Sequence, residues 1–498
     1  MLSLKAGNNQ IQCRFRTIVL VVLTLLGLYV TITSIFVAGQ VNTKDKSKSK
    51  SSANLELHKS SSDVLWGYFR GTKIALGMTG VWCDVAYETS SPHLGSGCYL
   101  RDRLTCTGMP TIHSAFVDVV SKEVVFTGIT FLVDTWERET FYCEFSDGSV
   151  SASDAILNDT RSFGGQPQYV IVITCPVTAS YMRFMKSNNI GGDKHPHKIT
   201  LRRVSEPRYA YRNIPACNTG VHDTTNHRFL SLCTMAKGMD EFFRVWLLYY
   251  RYMGVDHVYI YDNSPETSLV KVLRPFIRIG YVTVVPWAHQ YTPSKTYLEV
   301  QIAHENDCLW RHRHDTKWVI KVDVDEFMQP MDPKSPRIID FIHNFGDIPE
   351  SVATLRVRNW FFSKLPSNVS KDILYSGTVI ERNPWRSPDP TEENRGRDKC
   401  LVLPQRVHYF KIHGVKIGGD TVTLNPTAEM RLVHYRSENP MHRNFRIHQF
   451  VRDDSMRNIW EQILFWKDRT ADKYIRWTYK KGAPVDDVHP YKKKRSVL

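Results

Sequence analysis

The chain has 498 residues, of which 42% are hydrophobic and 23% charged, and its formal net charge is +15. That length holds two or three domains and that apolar content supports a real core, which excludes wholesale disorder and low-complexity architectures. A basic balance suits nucleic acid, anionic lipid or acidic polysaccharide equally, so position along the chain has to choose among them.

Residues 1–16 carry Lys5, Arg14 and Arg16 and no acidic residue. Thr17 to Ala38 (TIVLVVLTLLGLYVTITSIFVA) then runs without a charge for about the ~20 residues that span a bilayer. This predicts a cytosolic tail at 1–16 and a transmembrane anchor at 17–38, although Lys44, Lys46, Lys48 and Lys50 blunt the charge asymmetry. A cleaved signal peptide ending near Val37-Ala38-Gly39 is the alternative; the length of the apolar run favours an anchor. Of 10 cysteines, Cys13 falls in the tail, and the other nine form no Cys-x-x-Cys pair of the kind zinc prefers. Two acceptor sequons begin at Asn158 and Asn368. Anchor, sequons and cysteines together predict a single-pass type II protein of the secretory pathway, with disulfides, at least one unpaired thiol and no nucleic-acid partner.

Residues 39–63 are Lys-, Ser- and Asp-rich and read as a solvated stem. Between 64 and 204 short β-branched and aromatic runs alternate with turns, as in 123–133, 139–145 and 168–177, which predicts an antiparallel β-sandwich. Within it Trp66, Trp82 and Trp136 are candidates for gripping a glycan chain, with core packing as the default. From 205 to 485 strands and helices alternate, the pattern of a doubly wound parallel sheet. Strands are expected at 227–237, 256–264, 281–287 and 317–327. Helices are expected at 239–253, ending at Gly254, then to about 277 and over 294–312. Residues 486–498 form a basic tail, read most simply as solvated and alternatively as an attraction for an acidic polysaccharide.

Open α/β sheets bind ligands beyond the carboxyl ends of their strands, at the point where strand order reverses. Two acidic turns fall there. After Trp318-Val319-Ile320-Lys321-Val322 come Asp323, Asp325 and Glu326, which are costly to bury unpaired and are reconciled by a hard divalent cation. If this segment stays extended, Asp323 and Asp325 point the same way and reach one ion. Asp262-Asn263 closes the neighbouring strand and suits a uracil or ribose, or else an Asx-turn. His413 and His434, in extended apolar surroundings, are candidates for an imidazole ligand or a phosphate donor, or are structural.

Residues 228–435 closely resemble glycosyltransferase family 92. The shared pieces are Cys233-Thr234-Met235-Ala236-Lys237, Gly254-Val255-Asp256-His257 leading to Tyr261-Asp262-Asn263-Ser264, and Trp287-Ala288-His289-Gln290. Further pieces are Gln301-Ile302-Ala303, Asn306-Asp307-Cys308-Leu309, Asp323-Val324-Asp325-Glu326-Phe327, His413-Gly414 and His434-Tyr435. Ala288 stands where the family often has proline. With the β-module and anchor, the chain is similar to the family's plant pectic galactan synthases. That resemblance implies a Golgi membrane enzyme with a GT-A catalytic domain and a carbohydrate-binding-like module. It also implies an inverting, Mn2+-dependent transfer from UDP-galactose to β-1,4-galactan, and a homodimer is in keeping with it. It implies Asp323, Asp325 and His434 for the metal. It implies Lys237, Asp262, Asn263, His289, Gln301, Asp323 and His413 for the nucleotide sugar.

An inverting transfer needs a base for the acceptor hydroxyl. Glu381 stands at the matching family position, against the reading of a surface ion pair, and Asp398, Asp453 and Asp454 stay open. Trp360 and Phe362 are candidates for stacking on acceptor sugar, against a core role. Two other classes compete: an inactive glycan-binding scaffold, and a metal-dependent nucleotide-sugar hydrolase.

Overall fold

A computed structural model describes residues 57–59, 65–69, 72–77, 80–84, 104, 108–130, 140–153, 155–163, 166–190, 196–219, 227–237, 239–264, 268–287, 298–363, 377–387, 397–435 and 450–469. The expected tail and anchor at 1–38, the basic tail at 486–498, Trp136, His289 and Asn368 lie outside the described residues. Among the described residues no helix is long and apolar enough to cross a membrane.

The first twelve strands are β1 (Leu57–Lys59), β2 (Leu65–Phe69), β3 (Thr72–Gly77), β4 (Gly80–Asp84), β5 (Thr111–Asp118), β6 (Glu123–Thr130), β7 (Phe141–Phe145), β8 (Val150–Ala152), β9 (Ala155–Phe163), β10 (Gln166–Pro176), β11 (His197–Arg203) and β12 (Tyr209–Asn218). One helix, α1 (Ala179–Asn188), sits among them. The strand order is β1-β2-β3-β4-β12-β5-β6-β10-β9, with β11, β7 and β8 branching from β12. Pairing is antiparallel except where β12 runs parallel to both β4 and β5. This departs from the all-antiparallel expectation, because β12 arrives from a long excursion through α1 and β11 and enters between β4 and β5 from their own starting end.

Along β7 and β11 every second residue is buried. Phe141, Cys143, Phe145, Ile199 and Leu201 share a core with Val117, Val124, Phe126, Ile171 and Ile173 of the facing strands. A disulfide from Cys143 to Cys175 staples β7 to β10. β5 breaks the alternation and is buried on both faces. Its outward side, with Val125 and Val172, packs against Ile302, Trp310 and Tyr409 of the following domain. Residues 55–498 accordingly make one unit.

The second domain begins with β13 (Arg228–Ala236), α2 (Asp240–Tyr252), β14 (His257–Asp262), α3 (Ser268–Arg278), β15 (Val282–Pro286), α4 (Leu298–Arg311) and β16 (Thr316–Lys321). The stripe Phe243, Trp246, Leu247 and Tyr250 is fully buried, and α2 stops before Gly254, whose φ of +91° lies in the left-handed region that favours glycine. The four strands are parallel in the order β15-β14-β13-β16. A disulfide from Cys233 to Cys308 ties β13 to α4; Cys217 is also disulfide-bonded, and Cys400 is a buried free thiol.

Beyond β16 the sheet is mixed, not parallel throughout as expected. The remaining elements are β17 (Glu326–Pro330), α5 (Ile338–Asn344), β18 (Val352–Ser363), α6 (Val379–Arg382), β19 (Trp385–Arg386), β20 (Lys399–Val402), β21 (Val407–Lys411), β22 (Gly414–Gly418), β23 (Asp420–Thr423), β24 (Met430–His434), β25 (Val451–Arg452) and α7 (Ser455–Arg469). β20 runs antiparallel to both β16 and β18, while β24 is antiparallel to β17 and parallel to β18. Among the described residues no helix on the scale of α4 lies between β18 and β20, so no helical crossover sets β20 parallel to its neighbours.

Candidate active site at the carboxyl ends of the parallel strands

β13 has β14 on one side and β16 on the other, so strand order reverses beside it, and a crevice is expected at those carboxyl ends. Asp262 ends β14, Lys237 follows β13, and Asp323 follows β16. The expected single strand over 317–327 is broken there. Val322 to Asp325 form a turn that Glu326 closes: its Oε2 accepts the Asp323 amide N–H at 2.7 Å, and its own N–H donates to the Asp323 carbonyl. Three acids in four residues are too crowded to continue a buried strand, and the chain turns so that each carboxylate finds its own partner.

Those partners differ. Asp323 Oδ2 meets Lys399 Nζ at 2.9 Å, and its Oδ1 accepts from Gln301 Nε2 at 3.4 Å. Asp325 Oδ2 faces His434 Nε2 at 3.4 Å. Register explains the second contact: Glu326 pairs with His434 across β17 and β24, and Tyr435 N–H donates to the Asp325 carbonyl. On its other side, His434 Nδ1 lies 3.2 Å from Asn359 Oδ1 and 3.5 Å from Glu326 Oε1.

Beneath the turn lies a buried ionic layer. Lys399 is only 3% exposed and also lies 3.5 Å from Glu326 Oε2. Lys321 Nζ donates to the Glu305 carbonyl at 2.9 Å, and Glu305 Oε2 accepts from Ile412 N–H at 2.8 Å. Burial pushes Glu326 up to about 7 against the pull of Lys399, with Asp323 adding to the rise. Burial likewise pushes Glu305 up to about 7 and Lys321 down to about 7. Asp323 still reaches solvent (42% exposed). The enclosing walls work to raise its pKa, but Lys399 outweighs them and holds it below the ordinary aspartate value. Burial acts against protonation of His434, yet the Asp325, Glu326 and Asp323 carboxylates together raise its pKa.

A divalent cation fits this donor set. The Asp325–His434 spacing approximates the ~3 Å edge between neighbouring ligands of a six-coordinate ion with ~2.1 Å bonds. Asn359 and Glu326 hold the far nitrogen of His434, the kind of outer hydrogen bond that orients a ligating imidazole. Four carboxyl side chains, Glu305, Asp323, Asp325 and Glu326, stand against two amines, Lys321 and Lys399, an acidic excess that suits a cation. Among the described residues no group of three His, Cys, Asp or Glu side chains is placed to hold a metal. A small set of protein ligands is what an ion shared with a diphosphate and water requires.

The structure brings together Asp323, Asp325, His434 and Gln301, and His413 is close enough for its charge to be felt at Asp323. His413 Nδ1 bonds the Asp398 carbonyl at 2.9 Å. Asp262 forms the Asx-turn, accepting Ser264 N–H at 2.9 Å while staying half-buried. Asn263 is stitched into the strand ends: Nδ2 donates to the Trp287 carbonyl at 2.7 Å and its N–H to Ala236. Lys237 is exposed. Asn158 lies on β9, within the β9–β10 ladder.

Three readings need correction. Glu381 does not present a free carboxylate. Its Oε2 accepts from Thr378 N–H at 2.6 Å and from the Thr378 hydroxyl, closing a capping box on α6. Trp360 and Phe362 lie inside β18, and strand alternation turns both into the core, at 2% and 1% exposure. Trp360 is flanked by the Arg386 and Arg431 guanidiniums, each 4.6 Å from its ring. Phe361 points the other way and stands 5.1 Å from the His434 ring. The other carboxylates considered for the base are also engaged: Asp398 by Asn359 N–H, Asp453 by Arg386 and Arg431, and Asp454 by Arg452 and Arg457.

Sequence reasoning missed Lys399 and Asn359 and gave Glu326 no role. Lys399 did leave a trace, as a lysine opening the apolar run Lys399-Cys400-Leu401-Val402-Leu403, where burial demands an acidic partner.

Comparison with known proteins gives a family match over the second domain. Residues 231–476 match the model of Glycosyltransferase family 92. A family 92 protein of Oryza sativa subsp. japonica is 24% identical over 188 residues, 36% of this chain and 30% of that protein. The beta-1,4-galactosyltransferase galt-1 of Caenorhabditis elegans is 21% identical over 314 residues, 60% of this chain and 67% of that one. The galactan beta-1,4-galactosyltransferase GALS3 of Arabidopsis thaliana is 34% identical over 200 residues, 39% of this chain and 37% of its own. The matches to the rice and Arabidopsis proteins therefore span only about a third of their lengths.

Proposed function

We propose, from the premise that residues 231–476 are a glycosyltransferase family 92 domain, that this protein is an inverting β-1,4-galactosyltransferase. It takes galactose from UDP-galactose and adds it to the β-1,4-galactan side chains of pectin. The mixed α/β domain is read as GT-A, with residues 17–38 holding the enzyme in the Golgi membrane as a type II protein. The observation that carries the reading is the facing pair of Asp325 and His434 at 3.4 Å, at the reversal of strand order. The relatives named for β-1,4-galactosyl transfer supply the sugar and linkage.

Asp325 and His434 would hold Mn2+, which when bound neutralises charge on the departing nucleotide diphosphate. Asp323 has a different part. Lys399 and Gln301 occupy its two oxygens, so it fixes the turn and the helix that frame the donor. Asp262 lies at the neighbouring strand end, where its half-buried carboxylate suits the ribose or uracil. Phe361, beside His434, offers an apolar ring to the acceptor sugar.

The test is transfer by the purified protein with Mn2+, UDP-galactose and a β-1,4-galactan oligosaccharide. Chain extension is expected. Asp325→Asn and His434→Ala should each lower kcat/KM by at least about a hundredfold, the scale seen when one electrostatic stabiliser is removed, and should abolish the Mn2+ dependence of UDP binding. Transfer that survives a chelator, or unaltered Mn2+-dependent UDP binding in both variants, would refute the metal role. Release of galactose without chain extension would identify a nucleotide-sugar hydrolase instead.

A further inference from the structure

α4 carries the site residue Gln301 near its start and Asp307 further along, and Asp307 is buried where three parts of the molecule meet. Its Oδ1 accepts from Ser114 Oγ of β5 at 3.1 Å and from Arg311 Nη2 at 2.8 Å. Its Oδ2 accepts from the Tyr261 hydroxyl of β14 at 2.6 Å and from Arg311 Nε at 3.0 Å. Tyr261 immediately precedes Asp262. Its ring stands edge-on to Trp287 at 5.1 Å. Trp287 in turn donates from Nε1 to the Val300 carbonyl, beside Gln301, and accepts from Asn263. A continuous run of contacts thus leads from the N-terminal β-module to the carboxyl end of β14 and to the start of α4.

The contact is not incidental to this one residue. Asp118 of β5 is fully buried between Arg313 at 3.3 Å and His314 at 3.0 Å, and Arg311 lies over the Phe116 ring at 5.5 Å. Desolvation of such charges is repaid only when partners are held in place, so the module stays docked on α4.

We infer that Asp307 is a positioning residue through which the β-module sets the geometry of the donor-binding strand end. Nucleotide affinity then depends on Ser114, a side chain of the module that touches no substrate. The inference rests on the donor reading given above. It departs from the picture of a separable carbohydrate-binding appendage, in which loss of the module weakens polysaccharide engagement more than UDP binding.

Ser114→Ala, Tyr261→Phe and the double variant, in the full chain, test it. Each single change removes one hydrogen bond to a buried carboxylate, which corresponds to an effect of about tenfold. Ser114→Ala should speed amide hydrogen exchange over residues 258–264 about tenfold. It should raise Kd for UDP and the donor KM by a similar factor, with kcat and acceptor KM changed less than about twofold. Because both hydroxyls act on the same carboxylate, the double variant should lose less than the product of the two single losses. Unchanged exchange over 258–264 in Ser114→Ala, or fully multiplicative losses, overturns the inference. If the wild-type chain binds no UDP, the donor reading fails separately, and the exchange measurement still decides the coupling. Should Tyr261→Phe fail to fold, Ser114→Ala alone decides.

Discussion

Lys399→Met gives the sharpest test of the ionic layer under the site. Lys399 Nζ lies 2.9 Å from Asp323 and 3.5 Å from Glu326. With an effective dielectric near 20, each contact is worth about 5 kcal/mol before desolvation is counted. The Asp323 share is discounted because that carboxylate is 42% exposed, whereas Glu326 is 1% exposed and keeps its share. Removing one partner of a buried pair typically costs about 3–5 kcal/mol, and that loss is expected in urea denaturation of Lys399→Met. Most of it should come from Glu326, left buried without its cation. Glu326→Gln should therefore destabilise the wild-type chain, where it deprives Lys399 and His434 of a charge, yet stabilise the Lys399→Met background by about 1–3 kcal/mol. The reversal of sign is the diagnostic. Equal cost of Glu326→Gln in both backgrounds would show that the two groups do not sense each other and would sink the charge-balance reasoning on which the cation site depends.

Glu381→Ala should cost about 0.5–2 kcal/mol, the range for a lost helix cap, with kcat within about twofold; a loss of a hundredfold or more in kcat would restore Glu381 as the base. Trp360→Ala should destabilise the fold by about 3–5 kcal/mol. Phe361→Ala should leave stability nearly intact and raise the acceptor KM about tenfold, and an unchanged acceptor KM would remove Phe361 from the acceptor cleft. Burial pushes His197 down to about 4 and His257 to about 3. Both are neutral when folded, while the unfolded chain takes up their protons below about 6.5. Stability is thus fully present above about pH 6.5 and falls as pH drops toward those folded values, by roughly 2 kcal/mol per histidine at pH 5. Urea midpoints between pH 7.5 and 5 check this. His197→Gln, which can still accept from the Tyr181 hydroxyl, should flatten the slope, and an undiminished slope would refute the assignment.

The parallel half of the second domain was legible because each strand is a short apolar run and each helix a clear stripe, as with Phe243, Trp246, Leu247 and Tyr250. Strand ends locate acids, and so Asp262, Asp323 and Asp325 were found without knowing any partner. What the sequence hid is set by register. His434 becomes a neighbour of Asp325 only because β24 pairs with β17 so that Glu326 faces His434. β18 runs through Trp360 and Phe362 to Ser363, and its alternation turns those two rings inward and Phe361 outward, which residue type alone does not reveal. Lys399 was overlooked because a buried lysine looks like a surface one until its acids are known.

The strongest disagreement concerns the β-module, and it bears on how the two domains are organised. Alternating apolar residues in a strand mean that one face is wet. β5 instead buries residues of both parities, Ala115 and Val117 on one side and Ser114, Phe116 and Asp118 on the other. A solvated appendage has no use for a fully buried Asp118 bound by an arginine and a histidine from the other domain. Such a charge is tolerated where the surface that satisfies it is always present. Arg313 and His314 sit in the turn that closes α4, and α4 also brings Gln301 to Asp323 and is tied to β13 by the disulfide between Cys233 and Cys308. One helix therefore belongs to the module interface, the sheet core and the site at once. Removing the module would expose Phe116's partner Trp310 and strand Arg313 without Asp118. The expected result for a chain lacking residues 64–204 is loss of UDP binding together with loss of polysaccharide binding, because the proposed donor site and the module share a wall.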